Sequence, residues 1–323
     1  MAVAVYTEVN DEELAEFVDG YDIGGVRSCK GIAEGVENSN YLLVTEHGPF
    51  ILTLYEKRVN PADLPFFLGL MNHLAARGIR CPTAVIDKRG KTLGEIAGRP
   101  AAIITFLDGV WPRRPRREHC AATGVALAQL HLAAADLDLR RSNALSVAGW
   151  AELAGSIGRD ADRVSAGLSD EIADEIEFLE ANWPSDLPEG VIHADLFPDN
   201  VFFLGEELSG VIDFYFACND MLAYDLAICI NAWCFEPDGA FNVTKSKALI
   251  EGYAAVRSLT TREIESLPIL SRGAAIRFLL TRINDWLSVP PGALVTPKDP
   301  LEYMAKLRFH RRARDGEAYG IRV

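Results

Sequence analysis

Basic residues are in short supply in this chain. Its 323 residues carry 32 Lys and Arg against 46 Asp and Glu, a formal net charge of −14. That balance argues against nucleic acid as a partner, because phosphate contacts need a basic surface. It argues equally against docking on an anionic membrane. Long apolar runs are also lacking. The longest stretches, residues 101–107 and 226–230, fall far short of the roughly 20 apolar residues that span a bilayer. Residues Met1 to Glu8 lack the basic start and apolar core of a signal peptide. The six cysteines form no Cys-x-x-Cys pair and the six histidines no His-x3-His, so no zinc framework is expected. Reduced, mostly buried thiols in a cytoplasmic protein are the simplest expectation. What the chain has in quantity is apolar material, 49% of its residues, enough for a large core or two lobes.

The most informative segment is Val191-Ile-His-Ala-Asp-Leu-Phe-Pro-Asp-Asn-Val-Phe-Phe203, followed by Gly210-Val-Ile-Asp-Phe214. Asp195 and Asn200 are five residues apart, and Asp213 follows Asn200 by thirteen. Kinases place an Asp and an Asn at that same step on one catalytic loop, then open an Asp-Phe pair with a metal-binding Asp. The chemistry explains the residue types. A hydroxyl attacking the terminal phosphorus of ATP needs a carboxylate to orient it and take its proton, which Asp195 supplies. Mg²⁺ takes hard oxygen ligands and only one or two protein carboxylates. Asn200 offers a neutral oxygen and Asp213 an anionic one. His193 is read as a brace for the loop through backbone hydrogen bonds.

Along the chain, residues 8–20 read as an acidic helix capped by Asn10 or Asp11. Short β-type runs follow at 27–32, 40–45 and 50–55, then a helix over 63–77 stopped by Gly78, then strands near 83–87 and 100–106. From His119 the pattern is largely helical, with helices expected at 121–136, 169–181, 243–257, 269–288 and 301–314. Val201 to Leu204 reads as a strand, 205–210 as a turn, and Val211-Ile212 as the opening of a second strand. A small α/β N-terminal lobe over residues 1–107 is therefore expected to bind nucleotide. A larger, mainly helical lobe over 108–323 is expected to carry catalysis and substrate, with a hinge near 106–110.

The nucleotide side departs from the protein-kinase pattern. Lys30-Gly-Ile-Ala-Glu-Gly-Val-Glu-Asn-Ser-Asn-Tyr41 lies where a phosphate-covering loop belongs. Gly31 and Gly35 are too few for a Gly-x-Gly-x-x-Gly, which leaves Asn38, Ser39 and Asn40 to supply polar contacts. The third strand offers Thr53 where a lysine is expected, and the helix after it offers no glutamate. The two absences agree, since a buried glutamate without its lysine would be an unpaired charge. Lys57, Arg58 and Lys30 remain as cations for the phosphates, with Lys57 preferred.

These motifs resemble the aminoglycoside-phosphotransferase-like kinases: His193-Ala-Asp195 with Asn200, Ile212-Asp-Phe214, and Ala223-Tyr-Asp-Leu-Ala227. Asp225 occupies that family's loop-bracing position, and Leu127-Ala-Gln-Leu-His131 resembles the helix after its hinge. Within the superfamily, Gly35-Val-Glu-Asn-Ser-Asn-Tyr41, Phe50-Ile-Leu-Thr-Leu-Tyr-Glu-Lys-Arg58 and Leu64-Pro-Phe-Phe-Leu-Gly-Leu70 are similar to the bacterial homoserine kinases of the kinase-like type, the threonine at 53 included. The resemblance covers residues 1–315. It implies an α+β, protein-kinase-like two-lobed fold, ATP and Mg²⁺ as cofactors, and phosphorylation of L-homoserine in threonine biosynthesis. Tyr215 stands after Asp213-Phe214 in place of glycine, and no Ala-Pro-Glu follows, so an activation loop switched by phosphorylation is not expected.

A homoserine carboxylate is best held bidentately by arginine. Arg277 and Arg282 share the expected late helix with Asp285, and Arg282 is the favoured partner. Asp285, Glu236 and Asp195 are open choices for the ammonium. The run Trp111-Pro-Arg-Arg-Pro-Arg-Arg117 reads as a solvated loop. Two other readings stay open: a kinase of this fold for an aminoglycoside, choline or sugar hydroxyl, and a catalytically dead nucleotide-binding regulator, favoured by the missing lysine.

Overall fold

A computed structural model describes residues 7–32, 38–56, 59–288 and 297–321. The chain forms two compact units. The first comprises Met1–Gly109, Asp136–Arg141 and Ser209–Tyr215, and the second Val110–Ala135, Ser142–Leu208 and Phe216–Val323. The short segments at 136–141 and 209–215 thus belong with the first unit although the chain around them belongs to the second.

In the first unit, helix α1 (Asp11–Asp19) begins where the Asn10 side chain accepts from the Glu13 N–H at 2.8 Å. That bond satisfies one of the orphan donors of the first turn. Strands β1 (Val26–Gly31), β2 (Ser39–Thr45) and β3 (Gly48–Leu54) follow, then a 3₁₀ turn into helix α2 (Leu64–Ala76). Strands β4 (Gly94–Ile96) and β5 (Arg99–Thr105) complete an antiparallel sheet in the order β1-β2-β3-β5-β4. In β2 every second residue is buried, the period-two pattern of a sheet with one face on a core. Ala97 and Gly98 turn β4 into β5 with φ of 51° and 67°, as the tightest hairpins require. The segment 83–87 is not the strand its sequence suggests. The Val85 N–H donates to the Ile103 carbonyl at 2.8 Å and the Thr105 N–H to that of Thr83 at 2.9 Å, an isolated bridge of Ala84 to Ile104, while Asn72 Oδ1 takes the Ala84 N–H at 2.9 Å.

The second unit is built on helices α3 (Arg117–Ala133), α4 (Val147–Ile157) and α5 (Leu168–Asn182). Strands β6 (Glu189–Ile192), β7 (Val201–Leu204), β8 (Glu207–Val211) and β9 (Cys218–Met221) come next, with the boundary between units falling inside β8. Helices α6 (Leu222–Trp233), α7 (Val243–Ala254), α8 (Thr261–Ser288) and α9 (Pro300–His310) close the chain. β6 pairs antiparallel with β9, Ile192 opposite Cys218.

Helix α6 is the centre of this unit. Every residue from Leu222 to Asn231 is buried, as is Trp233. Helices α3 and α7 pack with their backbones nearly touching. A Cβ at Gly124 would lie 2.0 Å from the Leu249 carbonyl oxygen, and one at Gly252 would lie 2.3 Å from that of Ala121. Only glycine fits at either place. Helix α8 runs eight residues further back than the predicted start at 269, with Pro268 inside it. Five of the six cysteines are buried and Cys29 half-buried, all as free thiols. No described helix is long and apolar enough to cross a membrane.

Candidate active site

In the second unit, β6 delivers the chain into the loop His193–Asn200. The loop cannot continue the strand, because Ala194 takes a φ of 63°. A non-glycine residue there costs energy and persists only where its surroundings enforce it. Several bonds do so. The Asp225 carboxylate, in the first turn of α6 and fully buried, accepts from the His193 N–H at 2.7 Å and the Ala194 N–H at 2.9 Å. It also meets His131 Nε2 at 3.1 Å, while His131 Nδ1 meets the Tyr253 hydroxyl at 2.8 Å. Burial alone would push the Asp225 carboxyl up, but the bonds from His131 and the His193 main chain outweigh it and hold it below the ordinary Asp value.

The carbonyls of the loop are held as firmly. Arg277 Nη1 donates to the Ala194 oxygen at 2.5 Å, and Trp233 Nε1 to the Leu196 oxygen at 2.7 Å. The Asp195 N–H donates to His193 Nδ1 at 3.3 Å, so His193 braces the turn from inside. Asn200 Nδ2 donates to the Asp195 main-chain oxygen at 2.8 Å and to Asp195 Oδ2 at 3.2 Å. With its nitrogen turned to Asp195, the Asn200 amide presents its oxygen the other way. A hard cation takes such an oxygen, so this side chain suits Mg²⁺.

In the first unit, Asp213 is exposed with a φ of 64°, the second non-glycine residue of the motif in the left-handed region. Phe214 is buried beneath it. The Tyr215 hydroxyl lies 3.2 Å from that of Tyr55, and the two rings meet edge to face at 5.5 Å. Burial, with the Asp213 charge adding to it, pushes the Tyr215 phenol up to about 12, against the Tyr55 and Thr53 hydrogen bonds. Both tyrosines are therefore neutral donors beside Asp213. Thr53 donates to Asn40 Oδ1 at 2.8 Å on the neighbouring strand. In place of a lysine, then, β3 offers a hydroxyl network.

Of the remaining expected nucleotide contacts, Ser39 is buried and donates to Glu56 Oε1 at 2.7 Å, while Asn38 Oδ1 accepts from the Glu56 N–H at 3.4 Å. Arg99 meets the other Glu56 oxygen at 3.2 Å. Asn38 and Ser39 thus serve the end of β3. Gly31 closes β1, paired with Tyr41. Gly35, Lys57 and Arg58 lie outside the described residues. Arg282 is held by Glu302 at 2.6 Å and by the Asp299 carbonyl at 3.0 Å, over the Tyr303 ring. In the arginine run, Arg116 meets Glu206 at 3.2 Å. The sequence reading did not foresee the His131–Asp225 contact, the Glu56–Arg99 pair, or Arg277 on the loop His193–Asn200. The first had a signal, a histidine on the helix whose motif had already been noticed.

A model of the phosphotransferase enzyme family matches residues 28–259. The chain belongs to this family. It is 64% identical over 319 residues to the homoserine kinase of Afipia carboxidovorans, which spans 99% of this chain and 98% of that protein. It is 61% identical over 320 residues to the homoserine kinase of Rhizobium meliloti, with 99% and 98% covered. Among solved structures, the amicoumacin kinase hAmiN in complex with AMP-PNP, Ca²⁺ and Ami superposes with a TM-score of 0.69 at 15% identity, over 94% of this chain and 92% of that one. Choline kinase from Cryptosporidium parvum gives 0.69 at 15% identity, over 94% and 95%. At such identities the likeness is one of fold, and it makes this phosphotransferase a member of the kinase-like α+β class.

Proposed function

We propose that the chain transfers the terminal phosphoryl group of ATP to the side-chain hydroxyl of L-homoserine, giving O-phospho-L-homoserine and ADP. The identity with homoserine kinases along almost the whole chain carries this reading. The braced loop around Asp195 supplies its chemistry. Asp195 orients the hydroxyl and accepts its proton as the new O–P bond forms and the bond to the ADP oxygen breaks. Asn200 fixes the Asp195 carboxylate through Nδ2 and keeps its own oxygen for metal. Asp213 contributes the anionic ligand. Mg²⁺ bound by these two residues would neutralise charge on the triphosphate.

On this reading residues 1–107 form the nucleotide-binding lobe and residues 108–323 the catalytic and substrate lobe. The hydroxyl network of Thr53, Tyr55 and Tyr215 ties the metal-binding turn to β3 and the residue after it. The product belongs to threonine biosynthesis, a cytoplasmic pathway.

An acceptor panel tests the proposal. Purified protein is given Mg-ATP with L-homoserine, choline, an aminoglycoside or a hexose, and ADP release is followed in a coupled assay. Turnover with homoserine at least about 100-fold above the others in kcat/KM is expected. A preference for another acceptor, or ATP binding without turnover on any, overturns it.

A further inference from the structure

Arg277, on α8, stands apart from the other sheltered arginines of the second unit. Arg272 meets Glu175 at 2.7 Å, Arg257 meets Glu263 at 2.8 Å, Arg282 meets Glu302 at 2.6 Å, and Arg311 meets Glu175 at 2.7 Å. Arg277 is more deeply buried than any of these, at 2% exposure, yet it pairs with no carboxylate among the described residues. Its one hydrogen bond to the described residues is Nη1 to the Ala194 carbonyl. Its Nε is buried with no partner among the described residues. The Tyr224 hydroxyl is a neighbour but lacks hydrogen-bonding geometry.

One carboxylate that feels this charge is already engaged. Asp220 feels the Arg277 guanidinium, but its oxygens are bound by Asn143 Nδ2 at 2.6 Å and the Met221 N–H at 2.7 Å. The guanidinium carbon lies 4.6 Å from the Phe278 ring centroid and 5.5 Å from that of Phe216, so these neighbours offer it no acceptor oxygen. A buried cation with one neutral acceptor is costly unless an anion completes it. The carbonyl that holds it belongs to the residue before Asp195. In homoserine the carboxylate carbon lies about 5 Å from the hydroxyl oxygen, three carbons away along the chain. The anion holder must therefore sit close to the base, as Arg277 does.

We infer that Arg277 receives the α-carboxylate of the amino-acid substrate through its unspent N–H edge, with the Ala194 carbonyl fixing the guanidinium's orientation. This rests on the homoserine reading and names the residue that selects for it. Arg282, already held by Glu302 and the Asp299 carbonyl, is released from that role.

The test compares L-homoserine with 3-amino-1-propanol, which is homoserine without its carboxylate. In R277M the ratio of kcat/KM for homoserine to that for 3-amino-1-propanol falls about 100-fold, the loss expected for charge-assisted bonds. The fall is carried by KM for homoserine, while KM for ATP does not follow it. Guanidinium ion added to R277A restores part of the homoserine rate. If both acceptors lose kcat in proportion, Arg277 only positions the loop and the inference fails. An unchanged ratio overturns it as well. Should the neutral variants fail to fold, R277K keeps the charge but not the fork, and a ratio lowered about 10-fold is expected. No change in R277K then refutes the assignment. A wild-type protein that ignores homoserine sinks the functional reading instead, so the two failures are told apart.

Discussion

Replacing Asp225 with alanine takes one carboxylate away from three donors at once: His193 N–H at 2.7 Å, Ala194 N–H at 2.9 Å and His131 Nε2 at 3.1 Å. None of these groups has water to turn to, because Asp225, His193 and His131 are all buried. Each stranded buried donor costs about 1–3 kcal/mol, and three are stranded together. Asp225→Ala should therefore destabilise the second unit by roughly 3–5 kcal/mol, a large share of a domain's usual 5–15. The readout can be made local. All five tryptophans, at 111, 150, 183, 233 and 286, lie in the second unit, so their fluorescence in urea reports its unfolding. The folded carboxyl titrates below its ordinary value, so its contribution is whole above pH ~4 and is lost as pH falls through the folded pKa. The gap between wild type and variant should stay constant from pH 7 to about 4 and close only below that. An unfolding midpoint shifted by less than the equivalent of about 0.5 kcal/mol would refute the bracing argument.

Other outcomes follow from the same geometry. Gly124→Ala drives a methyl into the Leu249 carbonyl, 2.0 Å away, and α3 and α7 must part to accept it. A loss of at least about 3 kcal/mol is expected, read by thermal unfolding, and a neutral effect would mean the two helices are not so close. His310 is buried and neutral, its pKa pushed down to about 3 by burial and then by the Lys306 and Arg272 charges. The unfolded chain protonates it below about 6.5, so stability falls with pH from there to about 3, by up to about 1.4 kcal/mol per unit. His310→Phe should flatten that slope in urea melts collected across the range, and an unaltered slope would contradict it.

Much of the first unit was legible because its strands alternate and its helices carry caps. Asn10 caps α1, and β2 buries every second residue. The segment 83–87, which its apolar content made look like a full strand, meets β5 only in the bridge of Ala84 to Ile104. In the second unit, α6 shows no amphipathic stripe since almost every residue is buried, so periodicity could not announce it. The helix expected from 269 begins at Thr261 instead, with Pro268 inside it. Helix α4 was not foreseen, its glycines at 149 and 155 weakening the pattern. The loop His193–Asn200 stood out through the spacing of Asp195, Asn200 and Asp213. The groups that hold it, Arg277 and His131, come from helices far along the chain, and no local pattern records that meeting.

Phosphorus NMR of purified protein with Mg-ATP and L-homoserine tests the central claim most directly. A phosphomonoester signal split by two methylene protons should grow as the γ-phosphate of ATP disappears, placing the new ester on the side-chain oxygen. In Asp195→Asn the same signal should form about 10²–10⁴ times more slowly. Release of inorganic phosphate alone, or an undiminished rate in the variant, would contradict the account.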